Sequence, residues 1–225
     1  MLIGGFQKCS LIEYPGEVSA VLFTTGCNFR CTYCYNPELV FPKLHPPPIP
    51  EKEIISFMKK RRGILDALVI TGGEPTLQED LLIFIGQIRD MGFKVKLDTN
   101  GSFPEVVENA AGLVDYIAMD VKGPLDKYAR IAGAQLDIRK ITGSIEIIKT
   151  SGVDYEFRTT VASGLLTSED MEKMGGLISG AKLHYLQNFL ASEKTAAAGI
   201  EKCSAEQIER FRGILQKHVG ECRVR

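Results

Sequence analysis

Three cysteines within eight residues, Cys27-Asn28-Phe29-Arg30-Cys31-Thr32-Tyr33-Cys34, constrain this chain more than any other feature. They follow the apolar run Ala20-Val21-Leu22-Phe23, which reads as a buried strand, so they occupy the loop at its end. Thiolates are soft ligands suited to zinc, Cu(I) or iron–sulfur iron, and spacers of three and two residues let one loop wrap a compact centre. The number three is informative, because a structural zinc site and a conventional four-iron cluster both close with four ligands. The nearest further candidates, Cys9 and His45, lie beyond the strand and beyond the loop. A four-iron cluster on three thiolates keeps one iron open for an exchangeable ligand.

At 225 residues the chain suits one large α/β domain. Its 27 basic and 28 acidic residues leave a net charge of −1, no footprint for nucleic acid or an acidic membrane surface. No apolar run approaches the roughly 18 residues of a membrane span. Six cysteines without a secretory leader read as a reducing, cytoplasmic setting.

Residues 1–17, punctuated by Gly4-Gly5 and Pro15-Gly16, predict a small hairpin or lid; 18–190 predict the core; 191–225 a C-terminal helix and tail. Within one domain, six strands (18–24, 67–71, 94–97, 116–119, 155–161 and 184–189) alternate with six helices (51–62, 77–91, 104–111, 138–150, 167–179 and 205–218). That alternation predicts a parallel sheet with right-handed crossovers, without distinguishing an open sheet from a partial barrel. The proline-rich stretch 45–50 predicts an extended connector. Polar groups gather at the ends of the predicted strands: Gly72-Gly73-Glu74-Pro75, then Asp98-Thr99-Asn100-Gly101, then Met119-Asp120-Val121-Lys122, with Arg158 and Gln187 on the last two. The two glycines let backbone approach a ligand closely. An Arg near the interior needs anionic partners. Cys203 and Cys222 are too far apart in sequence for a second cluster, and a lone His184 is more often structural.

The Cys-x3-Cys-x2-Cys spacing with Tyr33 before its last cysteine resembles the signature of radical S-adenosylmethionine (SAM) enzymes. The resemblance covers about residues 5–190 and implies an open (β/α)6 partial TIM barrel with its functional rim at the strands' C-terminal ends. It implies a [4Fe–4S] cluster on Cys27, Cys31 and Cys34, whose open iron chelates SAM. One electron then breaks the sulfonium C–S bond, and the 5′-deoxyadenosyl radical abstracts hydrogen. It further implies SAM contacts from Tyr33, the backbone of Gly72, Gly73, Glu74 and Pro75, Asp98, Asn100 and Lys122, with Arg158 and Gln187 as further candidates.

Asp-Thr and Asp-x-Lys at the third and fourth strand ends resemble the glycyl-radical-enzyme activating subgroup. That likeness implies a monovalent cation held by Asp98, Thr99, Met119 and Asp120. The segment 5–16 resembles the entry segment of the proteins that activate anaerobic ribonucleotide reductase, which implies that reductase as partner and reduced flavodoxin or ferredoxin as electron donor. Cys9, Thr32 and Tyr35 depart from that pattern, where a small residue, Pro and His are expected. A radical SAM enzyme of a small molecule, such as a deazapurine precursor, and a non-catalytic iron–sulfur sensor are the alternatives.

Overall fold

A computed structural model describes residues 1–190 and 200–225. Residues 191–199, the start of the predicted tail, lie outside the described residues. The strands are β1 (Ile3–Ser10), β2 (Ser19–Thr24), β3 (Ala67–Gly72), β4 (Lys94–Thr99), β5 (Tyr116–Asp120), β6 (Asp154–Val161), β7 (Leu183–Asn188) and β8 (Glu221–Val224). They form one sheet in sequence order, antiparallel between β1 and β2 and parallel from β2 to β8. β1 and β8 are its two edges, so the barrel is open.

The helices are α1 (Pro37–Val40), α2 (Glu51–Lys59), α3 (Leu81–Asp90), α4 (Pro104–Ala111), α5 (Tyr128–Ala132), α6 (Ile138–Thr150), α7 (Ser168–Leu177) and α8 (Ala205–Leu215). Successive strand residues point to opposite faces, and the two faces differ sharply. Outward, Leu22, Ile70, Leu97, Ile117 and Phe157 pack with Ile54, Phe84, Val107, Ile145 and Phe211 of the helices into the main core. Inward, Val21, Val69, Tyr116 and Ala118 pack with Tyr14 into a small plug. Continuous apolar strands are what a sheet covered on both faces requires.

The structure corrects several boundaries. The stretch expected as a hairpin or lid, 1–17, holds the edge strand β1, which pairs antiparallel with β2, and a loop that inserts Tyr14 into the barrel. The apolar content of β1 was too broken by Gly4-Gly5 to signal a strand. Residues 37–40 form a short helix because Pro37 takes its first turn, a position that needs no N–H donor. The helix expected at 77–91 starts at Leu81, because Glu74 caps a separate 3-10 turn at Pro75–Leu77. α5 and β8, each too short for a periodic signal, were not anticipated.

Candidate active site at the open end of the barrel

An open cleft of about 300 Å³ lies at the C-terminal ends of the parallel strands. Every residue expected from the sequence to hold the cluster, SAM or a cation lines it except Met119. Met119 is fully buried in the outer core, on the opposite face of β5 from Asp120, so its side chain is no part of the site.

The cysteine loop is moored on several sides. The Gly26 N–H donates to the Leu39 carbonyl (2.7 Å) and the Arg30 N–H to the Ala132 carbonyl (2.7 Å). Gly133, with φ +61°, lets that last approach happen, since a Cβ there would lie 2.3 Å from the Arg30 carbonyl oxygen. Asn28 donates to Ser102 Oγ (2.9 Å) and accepts from Asn100 Nδ2 (2.9 Å), tying the loop to the turn after β4. Tyr35 stacks on Phe189 at 5.6 Å, and its hydroxyl accepts the Leu190 N–H.

Burial pushes the Cys27 thiol up to about 11 and raises that of Cys31, while the positive charge of Lys122 acts against burial on both. Among the described residues no three His, Cys, Asp or Glu side chains close on a single ion. The three soft sulfur donors of Cys27, Cys31 and Cys34 all line the cleft and suit a multi-iron cluster with an open position. Beside them the Tyr33 hydroxyl is buried with no hydrogen-bond partner among the described residues, a polar atom that a ligand in the cleft would satisfy.

The Gly72-Gly73-Glu74-Pro75 turn is tight by necessity. Gly72 has φ +117°, and a Cβ on Gly73 would sit 2.1 Å from the Gly26 carbonyl oxygen. The Gly73 and Glu74 N–H groups donate to Thr24 and Gly26 carbonyls at 2.9 and 2.8 Å. With those donors spent, the turn offers acceptors. The contact expected of Glu74 was through its backbone; its carboxylate is buried and occupied. It accepts from the Thr76 N–H and hydroxyl, from Thr99 Oγ1 (2.7 Å) and from the Asn100 N–H (2.7 Å). It clamps the β3 and β4 turns together. Burial raises its pKa against the pull of those donors.

Across the floor runs an ionic chain. Lys96 Nζ lies 2.9 Å from Asp98 Oδ1; Arg158 lies 3.1 Å from Asp98 Oδ2 and 2.9 Å from Asp120 Oδ1; Lys122 lies 2.9 Å from Asp120 Oδ2. Burial works against the charges of Asp98, Asp120, Lys122 and Arg158, yet the opposite charges prevail. Arg158 and Lys122 hold the Asp120 carboxyl well below the usual range, and Asp120 raises Lys122 well above its own. Lys96, 1% exposed, was missed, although its i, i+2 spacing to Asp98 put both on one strand face. Asn28 and Gly133 gave no recognisable signal in the sequence.

The Radical SAM superfamily model matches residues 21–178. A Methanocaldococcus jannaschii protein named provisionally as a glycyl-radical enzyme activating enzyme is 38% identical over 84% of this chain and 80% of its own length. The pyruvate formate-lyase-activating enzyme of Clostridium pasteurianum is 24% identical, over 80% of this chain and 77% of its own length. A 7-carboxy-7-deazaguanine synthase of Thermococcus kodakarensis is 28% identical over 61% of each chain. Among solved structures, a domain of the pyruvate-formate lyase-activating enzyme from Bacteroides vulgatus superposes with a TM-score of 0.59 at 15% identity, over 71% of this chain and 99% of that domain, which shows the shared fold. With more than half its length matched by the family model, and with the expected thiols and glycine turn on one cleft, the chain belongs to the radical SAM superfamily.

Proposed function

We propose that the chain activates a glycyl radical enzyme, with anaerobic ribonucleotide reductase as the first partner to test. The observation that carries the reading is the convergence of three thiols, an acceptor-rich glycine turn and a chain of buried charges on one open cleft. SAM's amine and carboxylate both need partners, and the cleft offers a complement to each beside the cluster thiols. Cys27, Cys31 and Cys34 would hold the cluster; the Gly72–Gly73 turn would accept from the amine; Lys122 would pair with the carboxylate. Tyr33, Asn100 and Gln187 border the remaining space. When bound, the cluster and SAM supply a 5′-deoxyadenosyl radical that takes hydrogen from a glycine Cα, with methionine and 5′-deoxyadenosine as products.

The chain's own residues prepare that event. Lys122 fixes one end of the ligand through a full charge held in place by Asp120. The Glu74 clamp keeps the two turns at fixed spacing, so that orientation is built in before binding. The cleft's open side leaves room for a glycine loop of a partner protein, and the likeness to the M. jannaschii protein names that partner class. Reduced flavodoxin or ferredoxin would supply the electron.

The test is an anaerobic assay of the iron-loaded protein with SAM and dithionite, with and without the candidate reductase. SAM-dependent 5′-deoxyadenosine plus a glycyl radical signal on the reductase is expected. Deoxyadenosine without a partner radical would favour the small-molecule reading that the deazaguanine synthase likeness raises. No SAM cleavage by protein loaded with iron would leave only the sensor.

A further inference from the structure

The cation site implied by the resemblance does not fit the residues present. Asp98 Oδ2 and Asp120 Oδ1 both face the Arg158 guanidinium, at 3.1 and 2.9 Å, and their other oxygens lie 2.9 Å from Lys96 and Lys122. Thr99 Oγ1 donates to Glu74 (2.7 Å) and accepts the Gly101 N–H (3.1 Å). Met119 is buried in the outer core. We infer that Arg158 is this site's own cation: its guanidinium occupies the space between the two carboxylates, and the chain binds SAM without potassium or sodium.

The strand register explains the placement. Arg158 on β6 is paired with Asp120 on β5, while Asp98 on β4 is opposite Ala118, two residues lower. The guanidinium reaches Asp98 by crossing over β5, where Ala118 points inward and is small enough to leave the path open. A planar fork with separate donors can bridge two carboxylates in this way; an ammonium cannot do so as well.

Charge balance points the same way. Lys96, Arg158 and Lys122 against Asp98 and Asp120 leave an excess of one positive charge, the complement of one carboxylate. An added ion would raise that excess in a low-dielectric floor. Removing Arg158 leaves Lys96 and Lys122 against Asp98 and Asp120, with two carboxylate oxygens facing an opening, and a small cation there restores the single positive excess.

The inference rests on the SAM-binding reading, and the experiment separates the two. Iron-loaded protein would be measured for SAM affinity as K⁺ or Na⁺ is raised to about 0.1 M, with choline chloride holding ionic strength constant. Wild type should change by less than about twofold, whereas Arg158→Ala should bind at least about tenfold more weakly and recover with K⁺, Na⁺ or guanidinium. A parallel melting series on the metal-free protein should show those ions raising the transition of Arg158→Ala and not of wild type. If the alanine variant does not fold, Arg158→Lys, which keeps one charge but loses the fork, replaces it in both series. Wild type that needs K⁺ or Na⁺ for tenfold of its affinity, or a variant that none of the three ions rescues, overturns the inference. Loaded wild type that binds no SAM in any salt would sink the functional reading, and the metal-free melting series would still decide the role of Arg158.

Discussion

Glu74 and the three loop cysteines show how differently residues of one cleft act. Each of the four hydrogen bonds that Glu74 accepts is buried, so Glu74→Ala would strand several donors and cost about 3 kcal/mol or more of stability. Chemical denaturation checks this, and an unchanged midpoint would refute the clamp. Cys27→Ala, Cys31→Ala or Cys34→Ala should each abolish four-iron loading. Cys203→Ala and Cys222→Ala should retain full iron, since both thiols are buried in the helix-side core. Iron and sulfide analysis distinguishes the two groups. The motif cysteines and Gly72–Gly73 were legible in the sequence because their chemistry is written in spacing. Glu74's role was not, because its partners Thr99 and Asn100 come from another strand end, and nothing local reveals that its carboxylate is used up.

Elements position these residues, and here the short ones matter most. α5 has only five residues, yet its C-terminal Ala132 and Gly133 hold the Arg30 backbone. Gly133→Ala would face both a left-handed backbone conformation, worth about 1–2 kcal/mol, and a collision with the Arg30 carbonyl. The expected outcome is a folded protein with reduced iron occupancy, although the substitution is far from the cysteines in sequence. Full occupancy would mean that the loop is held by its other moorings alone. The long parallel strands and helices were readable from their apolar periods. α1, α5 and β8 were not, because four or five residues without a continuous apolar run show no period, and β1 was not, because Gly4-Gly5 breaks its apolar pattern.

At the scale of the molecule, the open barrel has an apolar plug, a charged floor and a functional rim stacked along one axis. The floor makes stability depend on pH. The folded-state pKa values of Asp98 and Asp120 lie below the ordinary value of 3.8, so as pH falls the unfolded chain takes up these protons first. Their contribution is therefore complete above about that ordinary value and is lost progressively below it. Acid unfolding followed by circular dichroism should show wild type losing stability in this range and Asp120→Asn losing less of it, from a lower starting point; parallel curves would contradict the assignment. Deeper in the barrel Arg225 pairs with the fully buried Glu156 at 3.0 Å, a contact that joins β8 to β6 and had no sequence signal. The most direct test of the whole account is isotopic. A partner enzyme carrying α-deuterated glycine would be mixed anaerobically with the iron-loaded protein, SAM and reductant, and the 5′-deoxyadenosine collected for mass spectrometry. Deuterium in the deoxyadenosine, in step with a glycyl radical on the partner, is the expected result. Deoxyadenosine free of label, with no radical on the partner, would contradict it.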